Sequence, residues 1–354
     1  MFGWNSPTSP SRRLILGGVL GAAFAPGALL AALKTDPASD FKQLLKRPIC
    51  PLAPNLSRQT REGVLHLSGS FESEPGERVP VLAMSSASRA GRRPAVLVLH
   101  GTGGNKEQML PTLEELSRRG FFAIAIDGRH FGARAPGARG SEAYQDAILQ
   151  AWHEKNPARQ RHPFFYDTVY DVWRTVDFLQ SLPEVDPDRI GCIGFSKGGI
   201  ETWMAAACDP RIRVAVPAIA VQSFRWSLEN DRWQGRAGTV RRAHEVVASE
   251  LGEPGINQKV CRALWTKILP GVLDEFDGPS MVPLISPRPL LILSGENDPN
   301  CPLPGAELAF ATTRTAYAAH KERLDIDVAA GVGHLVTPEQ RQKAMAWFER
   351  WLKP

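Results

Sequence analysis

The sequence predicts an α/β fold: a doubly wound, mostly parallel sheet interrupted by an inserted helical cap. Three observations carry that prediction. The apolar runs at 95–99 and 121–126 have the continuous pattern of strands buried on both faces. Helical spacing alternates with them, most clearly at 167–182, where Val169, Val172, Trp173, Val176 and Leu179 share a face until Pro183 ends it. The alternation fails between about 222 and 286, a stretch carrying Phe224, Trp226, Trp233, Trp265 and Phe276, which reads as a cap inserted into one α/β domain spanning 61–354.

The remaining elements follow in order. Two short strands near 63–68 and 79–84 flank the turn Glu74-Pro75-Gly76-Glu77. A helix around 106–119 sets Leu110, Leu113 and Leu116 on one face and stops at Gly120. Residues 131–166 form an irregular excursion holding Tyr144, Trp152, Phe164, Phe165 and Tyr166. Strands at 190–195, 214–221 and 290–293 continue the sheet, and a helix opens at Lys197. At 324–328, Leu324, Ile326 and Val328 alternate with Asp325 and Asp327, as in a half-buried edge strand. The last helix starts at Thr337-Pro338-Glu339-Gln340, with Thr as N-cap, Pro at the first helical position and Gln completing a capping box.

The chain has 354 residues, 43% of them hydrophobic and 22% charged, which excludes a disordered or collagen-like protein. Its net charge of +5 is unevenly placed: six basic and two acidic residues fall within 1–47, leaving +1 for the rest. The body therefore has no polyanion-binding signature, and nucleic acid is not an expected partner. The first 33 residues read as a leader, with Arg12-Arg13 before residues 14–33, which carry no charge. The pair of arginines resembles a twin-arginine export signal, and the expectation is export or membrane anchoring through 14–33. The absence of acid from 1–33 keeps an organelle transit sequence open, and an ordinary apolar helix of a cytoplasmic protein is the third reading. Residues 34–60, punctuated by Pro37, Pro48, Pro51 and Pro54, read as a linker. Five Cys without a C-x-x-C pair give neither a zinc pattern nor a disulfide framework. Cys192 and Cys208 read as buried thiols, and one bridge among Cys50, Cys261 and Cys301 stays open.

Gly194-Phe195-Ser196-Lys197-Gly198-Gly199 is a G-x-S-x-G match between an apolar strand and a helix. Glycines on either side of the Ser let the chain turn sharply enough to present a strained nucleophile. A hydroxyl needs a base to take its proton and a carboxylate to orient that base. After Ser196, the strand at 290–293 runs into Ser294-Gly295-Glu296-Asn297-Asp298-Pro299, and the strand at 324–328 runs into Gly331-Val332-Gly333-His334. Both sets of polar residues fall at the carboxyl ends of parallel strands, where open α/β sheets place their sites. Among eight His, only His334 has this position. His66, His130, His153, His162, His244 and His320 read as surface, turn or cap residues. Asp298 is preferred to its rival Glu296 as the acid, because the loop before Pro299 leads away from the strand end. His100-Gly101-Thr102-Gly103-Gly104 follows the strand at 95–99, and its spacing does not fit a phosphate loop. The amides of Thr102 and Lys197 are the candidate oxyanion donors.

These motifs resemble the α/β-hydrolase superfamily, and within it the dienelactone hydrolase and acetyl-xylan-esterase-like branch. The resemblance spans roughly 60–352 and rests on HGTGG, on Asp186-Pro187-Asp188-Arg189-Ile190 leading into GFSKGG, on GENDP and on GVGH. It implies a Ser196–Asp298–His334 triad, an oxyanion hole from Thr102 and Lys197, and hydrolysis of a small-molecule ester without metal or organic cofactor. Dienelactone hydrolases proper use Cys as nucleophile, so Ser196 favours esterase chemistry, with a small acyl group or a sugar acetate as the expected substrate. Lys197 is unusual after the Ser; its ammonium either attracts an anionic substrate or, the preferred reading, points to solvent. Two rivals stand beside the esterase. A peptidase of prolyl-oligopeptidase type needs a propeller for which 34–93 is too short. A non-catalytic binding protein commonly lacks a triad member, and all three are present here.

Overall fold

The computed structural model describes residues 36–87 and 91–353, so the leader expected over 1–33 lies outside the described residues. Its nine strands are β1 (Asn55–Arg61), β2 (Val64–Glu74), β3 (Glu77–Ser86), β4 (Arg93–Leu99), β5 (Phe122–Ile126), β6 (Val185–Phe195), β7 (Ile212–Ala218), β8 (Leu290–Gly295) and β9 (Leu324–Ala329). They form one sheet in the order β1-β2-β3-β5-β4-β6-β7-β8-β9. From β5 to β9 every pair is parallel, and β1, β2 and β3 extend the sheet as an antiparallel meander.

The alternation along each central strand divides the core in two. Ala95, Leu97 and Leu99 of β4 face one layer with the helices Tyr166–Ser181 and Lys197–Cys208, while Val96 and Val98 face the helices Leu110–Arg118 and Pro338–Leu352. Each fully buried Val, Leu or Ile side chain contributes about 1.5–3 kcal/mol of transfer free energy. The carboxyl ends of β4, β6, β8 and β9 consequently lie along one rim of the sheet, and the loops that leave them carry the polar motifs.

The stretch between β7 and β8 is helical, with Phe224–Glu229, Gln234–Gly238, Arg241–Glu250, Gln258–Ile268 and Gly278–Met281 in turn. Its aromatics are mostly its own core: Phe224 and Trp265 are fully buried and Phe276 nearly so, while Trp226 and Trp233 stay half-buried. The final helix carries the expected cap, Thr337 accepting from the Gln340 amide and Gln340 accepting from the Thr337 amide, both at 3.2 Å.

Several segments depart from the sequence reading. The 34–60 stretch is not a plain linker. Helix Pro37–Leu44 inserts Phe41 edge-on against Tyr166 and Phe276, at ring distances of 4.8 and 5.1 Å, and β1 joins the sheet. A proline at the first helical position is compatible with a helix, so Pro37 was no barrier. Strand β1 reads Asn-Leu-Ser-Arg-Gln-Thr-Arg, a polar edge without apolar alternation, which suits an edge that must resist pairing with other chains. The 131–166 excursion contains the helix Glu142–His153, burying Tyr144, Ile148 and Ala151. The helix Leu303–Ala316 between β8 and β9 had no counterpart in the sequence reading. All five cysteines are free thiols, so no bridge links Cys50, Cys261 and Cys301.

Candidate active site

Ser196 stands at the junction of β6 and the helix Lys197–Cys208 with φ +54° and ψ −113°, a conformation that L-residues rarely adopt and that costs on the order of 1–3 kcal/mol. Glycine is required around it for reasons of contact. A Cβ on Gly194 would lie 2.1 Å from the Gly198 carbonyl oxygen, and one on Gly198 would lie 2.5 Å from that of Leu99. The Ser196 amide donates to the Ala218 carbonyl at 2.9 Å, which ties the turn to the neighbouring strand.

The loops after β8 and β9 are stitched together before they reach Ser196. The Glu296 amide donates to the Ala329 carbonyl at 3.0 Å and that of Asn297 to the Val332 carbonyl at 2.8 Å. His334, about one-fifth exposed, lies 2.7 Å through Nδ1 from Asp298 Oδ2 and 2.7 Å through Nε2 from Ser196 Oγ. The carboxylate requires the proton on Nδ1, which leaves Nε2 free to accept from the Ser hydroxyl. The other carboxylate oxygen of Asp298 accepts from the amides of Asn300 and Cys301 at 2.8 and 3.1 Å, so the acid is buried yet fully bonded. Glu296 is exposed and accepts instead from the Gly331 amide at 2.6 Å. Of the two candidate acids, Asp298 is the one that touches His334.

The HGTGG loop packs against the nucleophile: the space a Gly101 side chain would take is bounded by Ser196 Cβ at 3.6 Å and the Phe195 carbonyl at 3.4 Å. Lys197 is the first residue of its helix, where backbone N–H groups have no partner within the helix. Its side chain departs from the expectation. It reaches neither solvent nor a substrate site but is fully buried, pairing with Glu201 one turn on and lying 5.1 and 5.6 Å from the ring centroids of Phe131 and Tyr144. A carboxylate and two aromatic faces together replace the water that the ammonium gives up. Burial pushes the Glu201 carboxyl up to about 7, against the opposing pull of Lys197.

Three further groups escaped the sequence reading. His100 is buried, with Nδ1 2.8 Å from the Gly101 carbonyl oxygen and Nε2 accepting from the Gly128 amide at 3.0 Å. Burial and the Lys197 ammonium push its pKa down to about 4. Arg236, fully buried in the helical insert, reaches under the acid loop to the Asn300 carbonyl at 3.2 Å and to Cys301 Sγ at 3.4 Å. Glu201 is the third. The HGTGG motif does not reveal the Gly128 contact of His100, 28 positions away, a lysine and glutamate one turn apart do not reveal their burial, and the partners of Arg236 lie 64 and 65 positions off. Among the described residues no three His, Cys, Asp or Glu side chains are grouped to hold a metal ion.

A parallel sheet with helices on both faces, a Ser on a strained strand-to-helix turn and a helical insert after β7 define an α/β-hydrolase. Comparison with known proteins agrees. A sequence model of the acetyl xylan esterase family matches residues 59–225. YtaP of Bacillus subtilis (strain 168), named as a hydrolase, is 26% identical over 290 residues, covering 78% of this chain and 84% of that protein. Among solved structures, acetyl xylan esterase 1 from Thermoanaerobacterium sp. JW/SL YS485 superposes with a TM-score of 0.65 at 20% identity, over 89% of this chain and 94% of its own. The acetyl xylan esterase from Paenibacillus sp. R4 gives 0.65 at 21% identity, over 89% and 93%. The chain is a serine-type α/β-hydrolase of acetyl-xylan-esterase-like kind, and its activity is that of a carboxylic ester hydrolase.

Proposed function

We propose that the chain is a small-acyl carboxylesterase, an acetylesterase in the first instance, acting through an acyl-enzyme on Ser196. The observation that carries this reading is the hydrogen-bonded series Ser196–His334–Asp298, with both links at 2.7 Å. His334 takes the hydroxyl proton as Ser196 attacks the ester carbonyl, and Asp298 stabilises the imidazolium that results. The amides of Thr102 and Lys197 receive the oxyanion. His334 returns the proton to the departing alcohol, then activates the water that releases the acid.

A small acyl group is the expected one, since Phe131, Tyr144, Phe164 and Phe165 of the excursion are buried in the core and are not exposed as the wall of a long apolar pocket. For the alcohol, a groove of about 690 Å³ runs beside the acid loop, lined by Trp226, Asn230, Arg232, Gln234, Glu296 and Asn297. A half-buried indole and hydrogen-bonding side chains, set beside the apolar Pro299, Pro302 and Leu303, suit a sugar ring, in keeping with relatives named for acetyl xylan. The arginine pair and the uncharged run of the leader support export or anchoring, which fractionation of cells producing the full chain tests directly. No described helix is long and apolar enough to cross a membrane.

Hydrolysis of p-nitrophenyl esters from acetate to decanoate, beside Ser196→Ala, tests the chemistry. We expect activity confined to the short acyl groups and a loss on the order of 10⁶-fold in kcat in the variant. Undiminished turnover by Ser196→Ala overturns the mechanism, and a preference for decanoate overturns the small acyl site.

A further inference from the structure

A buried ion pair starts at the residue after the nucleophile, Lys197 with Glu201 one turn on, and the acyl-enzyme chemistry makes no use of it. Burying two charges is costly, and replacing such a pair by apolar residues is often neutral or stabilising, so stability alone does not account for it. Its surroundings suggest another role. The Lys197 ammonium and the His100 ring meet at one point, Gly128: a Cβ there would lie 2.9 Å from Lys197 Nζ and 3.5 Å from His100 Nε2. The Gly128 amide can only donate, so His100 Nε2 must be unprotonated and the ring proton must sit on Nδ1. That proton is donated to the Gly101 carbonyl at 2.8 Å, which also accepts from the Gly104 amide at 3.1 Å. The Gly101 carbonyl and the Thr102 N–H belong to one trans peptide plane and point in opposite directions. A grip on the carbonyl therefore sets the aim of the amide.

We infer that His100 is a positioning residue of the oxyanion hole: it holds the Gly101 carbonyl and so aims the Thr102 amide, and the buried Lys197–Glu201 pair keeps it in the neutral tautomer this requires. The inference rests on the acyl-enzyme reading and deepens it. The ammonium disfavours a second positive charge beside it, and Glu201 retains the ammonium in place. Lys197 thus serves the oxyanion twice, through its own amide and, by way of His100, through that of Thr102. The other charged groups acting on His100 are Asp127, which favours the imidazolium, and Lys106, which opposes it; they are paired with each other at 2.8 Å.

The test compares His100→Asn, whose side-chain amide keeps a donor near the Nδ1 position, with His100→Leu, which has none, and sets Ser196→Ala beside both. His100→Leu should lose about 10²-fold in kcat, the worth of one oxyanion donor. KM should stay within about threefold, since the interaction is made in the transition state. His100→Asn should recover most of the loss. Wild-type kcat in His100→Leu, or equal losses in the two variants, overturns the inference. A second measurement needs no folded variant: ¹⁵N shifts of the wild-type imidazole should report the neutral Nδ1–H form of His100 at pH 7, and the Nε2–H form or the cation overturns it. In Lys197→Met/Glu201→Leu the His100 titration should move to higher pH, and an unmoved titration overturns the part assigned to the ion pair. Turnover surviving in Ser196→Ala defeats the acyl-enzyme reading itself, whereas a dead Ser196→Ala beside a fully active His100→Leu defeats this inference alone.

Discussion

His100 and His244 present the same chemistry in two regions of the molecule, the rim of the sheet and the helical insert. Both are buried, and both are pushed down to about 4. Each accepts at Nε2 from a donor that cannot do otherwise, the Gly128 amide for His100 and the Trp265 indole for His244, both at 3.0 Å. Each therefore donates from Nδ1 to a backbone carbonyl. The difference lies in what that carbonyl belongs to. His244 donates at 3.2 Å to Val240, one turn back at the start of its own helix, and burial alone depresses its pKa. His100 donates into the loop that faces Ser196, and a buried cation acts on it in addition to burial. A buried neutral imidazole is thus not in itself a sign of function. Its partners decide whether it fastens a core or aims a reacting group.

Substitutions should separate the two regions by readout. The largest effect belongs to the rim. Asp298→Asn should lose about 10⁴-fold in kcat while thermal unfolding stays close to wild type, because the geometry survives and the imidazole tautomer does not. A loss below tenfold would mean that Asp298 does not orient His334. The insert should respond in the opposite way. Trp265→Ala should cost about 3–5 kcal/mol of stability, measured by urea unfolding, through lost packing and an orphaned His244 Nε2. The kcat of its folded fraction should hold to within about threefold, as for an interaction absent from the transition state. A collapse of kcat without loss of stability would make the insert part of the catalytic machinery.

The same division explains what could be read from the sequence. The rim is built from steric necessities, and these leave local marks: Gly194 and Gly198 flank Ser196 because backbone oxygens lie where their Cβ atoms would go. The capping box at Thr337 and the apolar stripe of Tyr166–Ser181 are equally local, and the expected helix at 167–182 differs from it by one residue at each end. The preference for Asp298 over Glu296 rests on loop direction alone, and the structure puts Asp298 on His334. What escaped reading depends on distant partners or lacks a pattern. The role of His100 needs Gly128, 28 positions away, and Arg236 meets Cys301 across 65. Lys197 looked solvent-facing because nothing local reveals that Phe131 and Tyr144 close over it. Strand β1 has no alternation to detect, since an exposed edge needs none.

The smallest effect tests the comparison most finely, through pH. An unfolded His titrates near 6.5, whereas His100 and His244 do so near 4 in the folded protein. Between those values the unfolded chain binds more protons than the folded one, so stability rises with pH across the window. Each histidine contributes stability that is fully present above 6.5 and lost as pH falls through about 4, roughly 3 kcal/mol apiece. Glu201, raised to about 7, acts with the opposite sign: its contribution is present below the usual carboxylate range and fades as pH climbs through 7. Absolute profiles therefore mix the two, and a difference between variants isolates one. His244→Gln keeps an acceptor for the Trp265 indole and a donor for the Val240 carbonyl but carries no titrating proton. Relative to wild type, its unfolding free energy from urea titration should gain ground steadily from pH 6.5 to 4, by about 3 kcal/mol in all, while its esterase activity at pH 7 stays unchanged. Parallel unfolding free energies across that window would show that His244 is not held neutral by its core, and the likeness between the two histidines would fail. A matching fall in activity would give the insert histidine a role that this structure assigns to the rim.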